Sequence, residues 1–490
     1  MRRRGAVLGL AALLAGCGGG GGSDGFTASP VAGSSPTPTP TSTVAGCSLR
    51  ERQDWAAAQL REWYLFPETL PTTLDPTPYA NVGDYVDALT ATARAQRRDR
   101  YFTYVTSIKE ETAYYTSGQS AGFGVRLALD QTGGRLFITE SFEGAPALNA
   151  GVDRGAEIVS IGTTAGNLRT VSAIVAAEGS AGLTNALGPD TAGTSRVLRV
   201  TDASGTRNVT LAKTDFALAP VSSRYGAKII SDGGRQVGYV NLRTFIEPAE
   251  APLRAAFAQF RAAGITNIIV DLRYNGGGLV SVAELVGDLM AANRSTAEVF
   301  SYTSFRPEKA AENETKFFAP QPESVAPTRV AFIGTGGTAS ASELVINAFV
   351  PYLHGNAGLI GGNTYGKPVG QIGLDQERCD DRLRVIAFAT QNAARQGNYF
   401  DGLATTVEAS CRANDDIFYP LGDAREASTR AALDFLAGRS CTRIGATATS
   451  AVNREASIDR SLVAQAPVET RELLSPERPS TPQREVPGLF

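Results

Sequence analysis

Four hydroxyl side chains crowd the stretch GTGGTASASELVINAF, from Gly334 to Phe349: Thr335, Thr338, Ser340 and Ser342. Small residues lead into a helical pattern, so Ser340 stands at or near a helix start. There the backbone N–H groups have no intrahelical partner and the dipole is positive. A hydroxyl so placed can attack a carbonyl, and the N–H of the next residue, Ala341, can donate to the oxyanion that forms. A serine before a helix is more often simply an N-cap. Attack also needs a base. The chain has one histidine, His354, beside Gly355 in a loop-like sequence, which fits capping or packing better than catalysis. Lysine is the other candidate. In GGNTYGKPVGQ, Lys367 is flanked by Tyr365, Gly366, Pro368 and Val369, and burial lowers a lysine pKa so that neutral amine becomes available. Gln371 can hydrogen-bond that amine and orient it without adding charge. Ser–Lys is a variant of the serine triad; a lysine read alone is more often solvated.

These groups need a scaffold. From about Val237, strand-like and helix-like segments alternate: VGYVNLRTF, APLRAAFAQFRAAG, NIIVDLRYNGGG, SVAELVGDLMAAN, RVAFIG, SASELVINAFV and AGLIGG. The alternation predicts an α/β domain with a largely parallel sheet, and sites in such sheets lie at the carboxyl ends of the strands. Two strands end there in small-residue loops, 275–278 and 334–339. Gly276, Gly277 and Gly278 expose amides without side-chain obstruction, and Asp271 with Arg273 can pair to fix that loop. No Gly-Lys-Ser/Thr follows, so it is not a Walker phosphate loop.

Upstream, residues 47–115 read as a helical domain: SLRERQDWAAAQLREWYL places Leu49, Ala56, Leu60 and Trp63 on one face. Residues 116–220 read as a β-rich module, 221–445 as the α/β domain, and 446–490 as a polar, Pro-bearing tail without periodicity, expected to be disordered.

The amino terminus carries Arg2, Arg3 and Arg4, an apolar stretch too short to span a bilayer comfortably, and LAGC ending at Cys17. This resembles a lipoprotein lipobox, with residues 1–17 as signal, lipid on Cys17 and residues 18–46 as a flexible tether. No Asp follows the Cys, which by analogy with lipoprotein sorting places the chain on the outer membrane, facing the periplasm or the cell surface. In that oxidising setting Cys47, Cys379, Cys411 and Cys441 suggest two disulfides. Cys379–Cys411 is favoured, since both lie in one carboxy-terminal region, with Cys47–Cys441 joining the folded part's start to its end. The net charge of −3 argues against nucleic acid as a main partner, and one His with few Cys leaves little for a transition-metal site. No cofactor is expected.

TASASE, GKPVGQ and DLRYNGGG together resemble the carboxyl-terminal processing peptidases, or tail-specific proteases, over about Thr116 to Ile444. The resemblance implies a ClpP/crotonase-like α/β catalytic domain with a mixed, largely parallel sheet, a small PDZ-like domain and an N-terminal helical cap. It implies Ser340 as nucleophile, Lys367 as base, Gln371 as orienting residue, and the N–H groups of Ala341 and Gly277 as oxyanion donors. The Ser340–Lys367 interval is slightly longer than the family's, which makes Ser342 a rival nucleophile. Gly276 stands where the family often has Pro or Ser. AGFGVRLAL looks like a PDZ carboxylate-binding loop and groove strand, with Gly122, Phe123 and Gly124 in the loop. The implied partners are protein or peptide substrates with apolar carboxyl ends and the membrane through Cys17, with room for a homo-oligomer or an adaptor protein. The alternative is a non-catalytic periplasmic peptide- or ligand-binding scaffold of the same fold.

Overall fold

Consecutive residues of the strand Asn267–Asp271 face opposite ways: Ile268 and Val270 enter one apolar cluster, Ile269 the other. In Arg329–Gly334, Val330 and Phe332 join the first cluster, Ala331 and Ile333 the second. A sheet apolar on both faces must be covered on both, and this one is, in a computed structural model that describes residues 44–445 and 471–490. Its six strands run in the order Ala227–Asp232, Arg235–Asn241, Asn267–Asp271, Arg329–Gly334, Ala357–Gly361, Ala409–Arg412. The first pair is antiparallel and every later pair parallel, as the alternating sequence predicts. Helices Glu250–Ala262, Val280–Leu289 and Ala341–Leu353 cover one face, and Ala427–Leu436 the other.

A second sheet carries Tyr104–Ser107, Asp381–Gln391, Val299–Phe305 and Glu314–Phe317, with Val369–Gln376 also paired to Asp381–Gln391. The helix Leu49–Trp63, capped by Ser48 with Glu51 in a reciprocal box, packs with Val82–Leu89 on this sheet. Ala56 and Leu60 are buried there with Val385 and Ile386. Leu49, placed on the same face by periodicity, is the first helical residue and stays 38% exposed. The N-terminal helices therefore back the strand pair that follows Lys367.

Residues 119–217 form the β-rich module. A seven-stranded sheet holds Val125–Asp130, Arg135–Ser141, Glu157–Gly162, Ser195–Asp202 and Gly205–Ala212 in that spatial order, with Arg169–Thr170 also on Glu157–Gly162. The helix Val171–Leu187 packs on it through Ile174, Leu183 and Leu187. Its outer edge beyond Val125–Asp130 is completed by Arg471–Leu473, antiparallel.

That last strand corrects the expectation of a disordered tail. Residues 446–470 lie outside the described residues, as do 1–43 with Cys17. Residues 471–490 are packed: Leu474, Val486, Leu489 and Phe490 are buried. The segment lacks periodicity because it borrows an existing edge instead of making its own core. The disulfide pairing is also corrected, for the bonds are Cys47–Cys379 and Cys411–Cys441. Cys379 follows Val369–Gln376 on the sheet that the N-terminal helices cover, so its near neighbour is Cys47. Cys411 lies in the edge strand of the parallel sheet, where Arg412 N–H donates to the Thr442 carbonyl, 2.7 Å, beside Cys441. Peptide mapping of the oxidised, unreduced protein should recover Cys47–Cys379 and Cys411–Cys441 and no Cys379–Cys411 species.

Candidate active site

Three adjacent parallel strands end at one edge, since Asp271 pairs with Ile333 and Gly334 with Gly361. They deliver the loops 272–279, 335–340 and 362–368 to the same place, as the strand-end rule requires.

The first loop is held by a buried ion network. Arg273 Nε donates to Asp271 Oδ1 at 3.0 Å and its Nη2 to Glu426 Oε2 at 2.8 Å, while Tyr239 OH donates to Asp271 Oδ2. The Asp271–Arg273 pair expected from sequence is thus present. Asn275 then stitches the first loop to the second: its carbonyl accepts from Ala339 N–H at 2.9 Å and from Ser342 Oγ at 3.1 Å. Ser342 is 0% exposed with its hydroxyl committed to that carbonyl, so the rival nucleophile is part of the loop's framework.

Ser340 is the N-cap of Ala341–Leu353 and half-exposed, at φ 56° and ψ −116°. A positive φ in a residue with a Cβ is costly and persists where the surroundings over-determine it. Across from it lies Gly277, at φ 121°: a Cβ there would sit 2.7 Å from Ser340 Cβ and 3.2 Å from Ala341 N. Only glycine leaves that space. The Gly277 N–H, however, donates to Asn275 Oδ1 at 2.9 Å. It is the Gly276 N–H that reaches a carbonyl in the cleft, Glu485 O, at 2.9 Å. The Ala341 N–H lies in the first helical turn, where no intrahelical acceptor exists.

Lys367 follows Gly366, whose φ of +90° and close approach to the Phe400 carbonyl exclude a side chain. Lys367 Nζ donates to Gln371 Oε1 at 2.7 Å and lies 5.0 Å from the centre of the Phe102 ring. Gln371 Nε2 donates to the Phe102 carbonyl, which orients the amide so that its oxygen faces the amine. Burial pushes the Lys367 pKa below the ordinary lysine value; the Glu485 carboxylate opposes this, and Arg484 adds to it. Among the described residues, no hydrogen bond joins Ser340 Oγ to Lys367 Nζ.

The residue that sequence reasoning missed is Glu343. Its Oε2 accepts from Ser340 N–H at 3.0 Å and from Lys367 N–H at 2.7 Å, and its Oε1 accepts from Gly366 N–H at 2.7 Å. It is 0% exposed. Burial raises its pKa above the usual carboxylate value despite the hydrogen bonds it receives. One carboxylate oxygen therefore holds the backbone of both Ser340 and Lys367. The signal was present as a capping-box spacing, Ser340 followed three residues later by Glu343.

His354 sits at the other end of the helix, about 20 Å away at 1.5 Å per residue, with Nδ1 on Glu408 Oε1 in an exposed pair. In the β-rich module, Phe123 is buried, and Gly124 at φ +71° lies against Ala145, where a Cβ would collide. Gly122 lies against Phe490. Lys367, Gly276, Ala339, Tyr365, Arg484 and Glu485 line one cavity of about 1060 Å³.

Residues 236–399 match the model of peptidase family S41. The C-terminal processing peptidase, chloroplastic, of Tetradesmus obliquus is 27% identical over 275 residues, covering 53% of this chain and 54% of that one. The carboxyl-terminal-processing protease of Picosynechococcus sp. (strain PCC 7002) is 28% identical over 253 residues, covering 51% and 55%. The chain spans about half the length of the curated relatives it matches. The crystal structure of a candidate S41 protease from Bacteroides fragilis NCTC 9343 superposes with a TM-score of 0.58 at 21% identity, covering 78% of this chain and 97% of that one, which establishes a shared fold. The chain carries a peptidase family S41 domain and is related through it to the carboxyl-terminal processing peptidases.

Replacing Glu343 with Ala leaves three backbone N–H groups without their acceptor in a buried place. Each orphaned group costs about 1–3 kcal/mol, so Glu343→Ala should lower the unfolding free energy by roughly 3 kcal/mol or more in a urea titration. Ser342→Ala, which loses one hydroxyl and orphans no donor, should cost about 1 kcal/mol.

Proposed function

We propose that the protein is a serine endopeptidase that cleaves exported proteins near their carboxyl ends, with Ser340 as nucleophile and Lys367 as general base. The observation that carries this is the Glu343 carboxylate, which holds the backbone of Ser340 and Lys367 on one oxygen. The two N–H groups reach the same atom, so the Ser340 and Lys367 side chains start from neighbouring points of the backbone. Neutral Lys367 takes the Ser340 proton, Oγ bonds to the substrate carbonyl carbon, and the carbonyl π pair moves to oxygen. Ala341 N–H receives the oxyanion together with Gly276 N–H, the glycine-loop amide that already meets a carbonyl in the cleft. This replaces Gly277 in the donor role, since its N–H is engaged by Asn275. The ammonium then protonates the leaving amine as the C–N bond breaks. Water, deprotonated by Lys367, hydrolyses the acyl-serine ester and returns the proton to Ser340. Gln371 acts as a positioning residue that aims the amine.

The module of residues 116–220 is proposed to act as a PDZ-like domain that presents substrate, with Gly122, Phe123 and Gly124 at the mouth of its groove and Val125–Asp130 as its pairing strand. A lipid on Cys17 would place the chain at the outer membrane. Replacing Cys17 with Ser should then move the protein from the membrane to the soluble fraction. One observation favours the alternative of a non-catalytic scaffold, the missing Ser340–Lys367 hydrogen bond. Casein cleavage that disappears in Ser340→Ala separates the two.

Wild type, Ser340→Ala, Ser342→Ala and Lys367→Ala should be assayed together on an unfolded protein with an apolar carboxyl end. Ser340→Ala and Lys367→Ala should lose about 10³-fold or more in kcat, and Ser342→Ala much less. Lys367→Arg should not rescue, because guanidinium stays charged; full activity in that variant rejects the base assignment. Only the neutral amine accepts a proton, so kcat should rise with pH through an ionisation below the ordinary lysine value.

A further inference from the structure

We propose that residues 481–490 are an intramolecular ligand of this same cleft and groove, which excludes polypeptide until a substrate segment displaces it. The inference rests on the peptidase reading for its consequence, though not for the contacts themselves.

The groove strand Val125–Asp130 has one free edge, and the chain's own segment fills it. Val125 N–H donates to a Phe490 oxygen at 3.0 Å, Phe490 N–H donates to Val125 O at 2.9 Å, and Leu127 N–H donates to Gly488 O at 2.8 Å. This two-way exchange is strand addition, the mode by which such an edge takes a peptide. The far end of the same edge is taken by Arg471–Leu473. Side chains anchor the segment: Val486 and Leu489 cluster with Phe142, Ala145, Phe216 and Leu218, and Phe490 enters the module's core beside Phe123 and Leu127.

Ahead of that strand the segment enters the cleft as the short helix Thr481–Glu485. Glu485 O takes the Gly276 N–H, and the Arg484 carbonyl lies where a Gly276 side chain would be. Arg484 stacks on Tyr104, 3.8 Å from its centre, and donates to the Tyr101 carbonyl at 2.9 Å. Glu485 Oε1 accepts from Tyr115 OH at 2.9 Å. Its carboxylate also acts on Lys367, favouring the charged ammonium over the neutral base.

The segment is not posed for cleavage. Val486 N–H donates to Pro482 O at 2.8 Å and Arg484 N–H to Ser480 O at 3.0 Å, so the peptide groups are paired within a helical turn. An extended substrate strand cannot occupy the same space. The glycine loop and the groove strand are thus both in contact with one ten-residue piece of the chain, and Lys367 lines the same cavity as its Arg484 and Glu485. The occupant also indicates what displaces it: an extended segment with apolar side chains where Leu489 and Phe490 now sit.

The test uses the full chain. Leu489→Asp/Phe490→Asp puts two charges into the apolar anchors and should free the cleft. Casein turnover should rise about tenfold, as expected when a mostly docked segment is released. A labelled peptide of residues 481–490 should bind that variant saturably and suppress the gain. A second measurement needs no substitution: in wild type, hydrogen exchange at the Phe490 and Val486 amides should accelerate when a competing peptide with an apolar end is added to saturation. Turnover no higher than wild type in a folded variant, no peptide binding, or exchange unchanged at saturation overturns the proposal. Turnover that persists after Ser340→Ala is added to the variant overturns the peptidase reading instead, while peptide binding and exchange still decide the ligand.

Discussion

The buried carboxylate of Glu343 is the interaction on which the rest of the site depends. An isolated carboxylate in a protein interior is expensive. This one is offset by three backbone N–H donors drawn from two turns that are far apart in sequence. The donors are amides, not cations, so they solvate the carboxylate without placing a further positive charge beside Lys367. A salt-bridged partner in that place would raise the local positive potential, while a neutral side chain would leave amides unpaired. Ser340 keeps its positive φ while its N–H bonds Glu343, and such a conformation persists where the surroundings over-determine it.

Around this centre the protein uses charge where it might have used oil. Glu140 is buried with Arg126 at 3.1 Å and Arg243 at 2.7 Å, linking the β-rich module to the segment following the strand Arg235–Asn241. Arg126 Nε and Nη2 and Arg243 Nη2 have no hydrogen-bond partner there. Such a network returns little more than its desolvation cost. Its effect is geometric, since few arrangements of module and domain satisfy it.

Much of this was legible in the sequence, and the failures have physical causes. The alternation of strands and helices pointed to the parallel sheet, because burial on both faces leaves unbroken apolar runs such as IIV and VAFI. Ser340, Lys367 and Gln371 stood out through neighbours whose chemistry is local: a helix start, a small and apolar turn, an amide four residues on. Glu343 did not, since its role is to join two turns that only the fold makes adjacent. The disulfides failed for the same reason, as sequence region is a poor guide to which edges meet. Residues 486–490 looked structureless because a strand that completes another's edge needs no pattern of its own beyond two or three apolar side chains.

The pairing of Tyr104–Ser107 with Asp381–Arg384, together with the Cys47–Cys379 bond, has a consequence for how the chain is made. The first folded residues must wait for partners more than three hundred positions downstream, which loop-closure entropy makes slow. A growing chain would hold its N-terminal helices unpaired until Asp381–Gln391 had been made, and only then would the backing behind Lys367 close. Products truncated ahead of that strand would then emerge with the lysine turn unsupported.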